Sequence, residues 1–121
     1  MRIEKLIDSM QRRPGMYLLE ERIEYIFQFL LGYCGANSDF LEDDDMDRRF
    51  CSWFWKWLLI WIEDNVDSEY QIKSACWYED IRKIAGDEQK AVTLFYDLCK
   101  IFFEDYKQKR GYFSWRNDSE E

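Results

Sequence analysis

Asp43, Asp45 and Asp47 alternate along the chain as the first oxygen ligands of a calcium-binding loop do, which makes them the first place to look for chemistry. The rest of that loop does not follow. Its sixth position needs glycine and is Arg48, and its twelfth needs a bidentate glutamate and is Phe54. Histidine is absent, which removes Ser-His and Cys-His nucleophiles, His-ligated metals and the commonest general base. Paired acids such as Glu20 and Glu24 suit di-metal chemistry only beside Glu-x-x-His motifs, and none occurs. Cys34, Cys51, Cys76 and Cys99 lack C-x-x-C spacing and read as reduced, buried thiols. No glycine-rich phosphate loop is present. The expectation is a protein that binds without catalysis and without cofactor or metal.

What remains is carboxylate in clusters. The polar stretch 38–47 holds Asp39, Glu42, Asp43, Asp44, Asp45 and Asp47, and a second group follows at Glu63, Asp64, Asp67 and Glu69. Seventeen basic against 25 acidic residues give a net charge of −8. That balance disfavours direct contact with nucleic acid, which needs clustered Lys and Arg, and points to a basic protein partner. The expected partner-binding residues are therefore Asp43, Asp44, Asp45 and Asp47, then Glu63, Asp64, Asp67 and Glu69. The competing explanation is that these acids are solvated surface that keeps the protein soluble.

The elements that position them read as helices. Pro14 is the single proline and only five glycines interrupt 121 residues, so the uninterrupted segments are long. A chain of this length forms one domain, here 1–121, with 112–121 expected to be a partly ordered tail. Ile3, Leu6, Ile7 and Met10 make one helical stripe, ended by Arg13-Pro14-Gly15. A second helix is expected from Glu20 to Tyr33, with Gly32 and Gly35 as stop signals. The third, about Asp47 to Asp64, carries Phe50, Trp53, Phe54, Trp57, Leu58, Trp61 and Ile62 on one face and should be central. Ser68 or Ser74 starts a fourth helix that stops at Gly86, and Asp87 caps a fifth containing Ala91, Leu94, Phe95, Leu98, Phe102 and Tyr106. The expected fold is an all-α bundle of about five helices around a Trp/Phe-rich helix. Its longest apolar run, Phe50 to Ile62, falls short of the ~18 residues a membrane crossing needs. The opening MRIEKLIDSMQRR has no continuous apolar stretch, so the expected location is the cytoplasm, where the Asn117-Asp118-Ser119 sequon has no meaning.

Arg13-Pro14-Gly15-Met16-Tyr17-Leu18, a helix ending Phe29-Leu30-Leu31-Gly32-Tyr33, the aromatic helix, Ser74 to Gly86 with Trp77 and Ile81, and the Phe95 helix together resemble a family of small bacterial immunity proteins. That family is associated with contact-dependent growth inhibition and polymorphic toxins. The resemblance implies an α-helical scaffold that holds a cognate toxin, often a basic nuclease, and covers its active site or a neighbouring surface. Pro14-Gly15 reads physically as a sharp corner with Met16, Tyr17 and Leu18 packed beneath it. The motif thus describes a scaffold and leaves the toxin-facing residues to the acids. The alternative function is an acidic regulatory or scaffold module with an endogenous partner; a carboxylate enzyme ranks third. The oligomeric state is not specified by any of these features.

Overall fold

A computed structural model describes residues 2–36, 46–71 and 76–108. They form five α-helices, α1 (Ile3–Arg12), α2 (Ile23–Ala36), α3 (Met46–Asn65), α4 (Trp77–Ala85) and α5 (Glu88–Gln108), with a short 3-10 turn at Pro14–Met16. The fold is an all-α single-domain bundle without strands among the described residues. The tail at 112–121 lies outside them.

Burial follows the helical period. Ile3, Leu6, Ile7 and Met10 are the buried residues of α1, as the stripe requires. Arg13 stops the helix, and the backbone then turns through Met16 N–H to Arg13 O and Leu18 N–H to Pro14 O. Leu18 is buried, but Met16 is 70% exposed, so Met16 does not pack under the corner. Tyr17 packs against the core edge-on to Phe29, with ring centroids 5.8 Å apart, so two of the three residues after Gly15 are covered and Met16, the last of the 3-10 turn, faces outward.

α2 begins at Ile23, later than expected, and its first amide is taken by a carboxylate from elsewhere: Ile23 N–H donates to Glu88 Oε2 at 2.5 Å. It also continues through Gly32 and Gly35 to Ala36. Those glycines do not terminate it, because the final turn is tied to α3. Cys34 and Cys51 form a disulfide there, which corrects the reading of four reduced thiols; Cys76 and Cys99 are the free pair.

α4 and α5 obey local rules. Gly86 takes φ 97°, the left-handed geometry that ends a helix, and its N–H returns to Arg82 O. Asp87 Oδ1 then accepts Lys90 N–H at 2.8 Å and caps α5. α4 starts at Trp77, after both serines proposed as its cap.

The core is a ring cluster shared by α3, α4 and α5. Phe54 lies within 6.0 Å, centroid to centroid, of Phe50, Trp57, Trp77, Phe95 and Phe102. Trp77 stacks on Phe95 at 5.0 Å with the planes 4° apart. Each such pair contributes about 0.5–1.5 kcal/mol beyond its buried area. Trp57 Nε1–H donates to the buried Asp105 Oδ2 at 3.2 Å, which supplies the indole with an acceptor inside the cluster. Phe50, Phe54, Trp57, Leu58 and Ile62 of α3 are buried, whereas Trp53 and Trp61 are half-covered. α5 is the helix that packs closely on each of the other four.

Candidate partner-binding surface

The two acidic groups have different fates. Asp43, Asp44 and Asp45 lie outside the described residues. Asp47 is only 4% exposed and does not present its carboxylate to a partner. It accepts the N–H of Ile3 on both oxygens at 3.1 Å and the hydroxyl of Tyr33 at 2.9 Å. Arg2, the N-cap residue of α1, makes no side-chain capping bond, so Asp47 caps that helix from across the bundle. The reason is its register: Asp47 stands three residues before Phe50 and seven before Phe54, on the buried stripe of α3.

Glu63, Asp64, Asp67 and Glu69 are brought together at the other end of α3, about 25 Å from Asp47 at 1.5 Å per residue. Asp64, Asp67 and Glu69 are exposed and Glu63 is half-exposed. Their backbone is ordered by short-range bonds. Val66 N–H and Asp67 N–H both donate to Ile62 O, Asn65 Nδ2 donates to Trp61 O, and Glu69 N–H donates to Asp67 Oδ1 at 3.0 Å. Val66, in the middle of the acids, is 50% exposed.

One further acid joins this pole through the fold. The Tyr70 hydroxyl donates to Asp80 Oδ1 at 2.5 Å, which ties the first turn of α4 to the turn after α3 through Asp80. Burial, and then the hydrogen bond and charge of Asp80, push the Tyr70 phenol well above its ordinary value of 10.0. It stays a donor across the physiological range. Glu79 and Asp80 suit the positive end of α4, but Glu63 and Asp64 sit at the C-terminal end of α3, where the helix dipole is already negative. Each charge placed there costs about 0.3–1 kcal/mol relative to a cation. The pole is therefore a gathering of carboxylates that helix stability alone does not favour, with Lys83 Nζ as a cation at its edge, 5.8 Å from the centre of the Tyr70 ring.

A groove of about 430 Å³ between α1 and α5 has the opposite character. Its floor is Ile7, Tyr96, Cys99 and Phe103, and its rim mixes Glu4, Asp8 and Glu104 with Lys5, Lys100 and Lys107. Lys107 Nζ pairs with Glu4 Oε2 at 2.7 Å across one end. A rim of both signs gives no preference for a cationic partner.

The chain matches no protein-family model, no curated protein and no solved structure. Among the described residues, no group of three or more Cys, Asp or Glu is arranged to hold a metal, and no helix is long and apolar enough to cross a membrane.

Proposed function

We propose that this protein is the inhibitory partner of a basic bacterial toxin domain, of the kind the Arg13–Leu18 and Phe29–Tyr33 strings bring to mind by resemblance. It binds the toxin one to one, covers its active site or an adjacent surface, and performs no catalysis. The observation that carries this reading is the acidic pole at the end of α3: Glu63, Asp64, Asp67 and Glu69 with Asp80 drawn in through Tyr70, and exposed Val66 among them. Basic active-site grooves that bind phosphate are attracted to such a field, which raises association rates by roughly tens to hundreds-fold at low salt. A small exposed apolar residue inside it offers a contact that the partner can desolvate. A standard interface would bury about 800 Å² of this protein's own surface.

The test is co-purification with the toxin domain encoded in the neighbouring reading frame. The expected result is a one-to-one complex in which the toxin's activity is lost. The combined variant Glu63→Gln, Asp64→Asn, Asp67→Asn, Glu69→Gln should associate at least about tenfold more slowly at low salt, with a flatter salt dependence. Its melting temperature should hold or rise, since it relieves charge at a helix C-terminus. Absence of a complex at micromolar concentrations rejects the pairing, and unchanged association kinetics removes the pole from it.

A further inference from the structure

Cys34 lies in the last turn of α2 and Cys51 in the second turn of α3, and their disulfide brings the two Cα atoms to 5.7 Å. The turn it holds is intrinsically weak. Gly32 and Gly35 are the poorest helix formers after proline, and Leu31, Gly32, Gly35 and Ala36 are all exposed, so among the residues after Leu30 the turn meets the core only through Tyr33 and Cys34. A cavity of about 60 Å³ lined by Phe27, Leu30, Leu31, Phe50 and Trp77 adjoins both cysteines, which leaves room beside the turn. Tyr33, next to Cys34, donates to Asp47, one helical turn before Cys51. The same carboxylate holds the N–H of Ile3 at the start of α1. Covalent bond, phenol, carboxylate and helix N-terminus thus run in one line across three helices.

We propose that the Cys34–Cys51 disulfide is a redox-sensitive clamp on the seating of α1, acting through Tyr33 and Asp47. Reduction by a dithiol proceeds by attack of one thiolate on a cysteine sulfur, and the second thiolate then closes the reagent into a cyclic disulfide. Two electrons and two protons pass to Cys34 and Cys51, which become thiols. Without the cross-link the glycine-bearing turn frays, Tyr33 leaves Asp47, and the cap on Ile3 loosens.

The experiment is amide hydrogen exchange on the whole chain with and without dithiothreitol, with thiols counted in denaturant. Two thiols are expected before reduction and four after it. Exchange at Ile3 and across 33–36 should quicken by about tenfold or more on reduction, while the Leu98–Phe103 segment of α5 changes less. Cys34→Ala should show the fast rates without reductant. Tyr33→Phe should show fast exchange at Ile3 in both redox states. An Ile3 rate indifferent to reduction overturns the proposal, as does equal acceleration in every helix, which would report only the loss of a constraint on the unfolded chain. A full redox response retained in Tyr33→Phe removes the relay, and four thiols before reduction removes the clamp.

Discussion

Replacing Asp47 tests the bundle where it departs most from its charge pattern. In Asp47→Ala the N–H of Ile3, a fully buried residue, and the hydroxyl of Tyr33 both lose their acceptor. The buried Ile3 amide left without an acceptor costs about 1–3 kcal/mol and the part-buried Tyr33 hydroxyl costs less, so a loss of about 2 kcal/mol is expected for the two together. With an unfolding entropy of about 2.1 cal/mol/K per residue, 121 residues give about 250 cal/mol/K, and the melting temperature should fall by about 8 °C. Asp47→Asn keeps one acceptor oxygen and should lose about half as much. The assay is urea unfolding followed by circular dichroism, with the midpoint shifting at constant slope. A loss below about 0.5 kcal/mol in the alanine variant would place Asp47 among ordinary surface residues and refute the cap.

Two further predictions concern glycines and a phenol. Gly86→Ala should cost about 1–2 kcal/mol in chemical unfolding because φ 97° strains any Cβ, whereas Gly32→Ala should gain about 0.5–1 kcal/mol, since its added methyl meets no neighbour within 4 Å. Burial, with Glu21 and Cys99 adding to it, holds the Tyr96 phenol above its ordinary value, and its hydroxyl has no hydrogen-bond partner among the described residues. Below pH 10 the phenol is protonated in both states and its contribution is whole. As pH rises past 10.0 the unfolded chain releases the proton first, so stability falls through the alkaline range. Tyr96→Phe should flatten that fall in unfolding experiments at stepped pH; an unaltered slope would assign the alkaline loss to other groups.

How much of this could be read in advance depended on whether the rule involved was local. The stripe Ile3-Leu6-Ile7-Met10, the stop at Gly86 and the cap at Asp87 each rest on residues within one or two turns, and they appear as read. The end of α2 does not: glycine weakens a helix, but whether it stops one depends on what holds the far side, here α3 through Cys51 and Asp47. The cysteine pairing was hidden for the same reason, since nothing in a 17-residue separation says that two helices will meet there. Asp47 and Asp105 carried a signal that charge counting obscured. Asp47 precedes Phe50 by three and Asp105 follows Phe102 by three, so both fall on buried stripes. The acids at 63–69 were visible as a group, but Asp80 joins them only because Tyr70 bridges the turn to α4.

The placement of α1 has a consequence for how the chain comes off the ribosome. Its first amide is held by Asp47, 44 residues further on, and Glu4 is paired with Lys107, 103 residues further on. α4 and α5, by contrast, are joined through Gly86 and Asp87 alone and can zip together as soon as both exist. Of the five helices α1 is therefore the one that must wait longest for its neighbours, and until α5 has emerged the apolar side of α1 has no complete place to go.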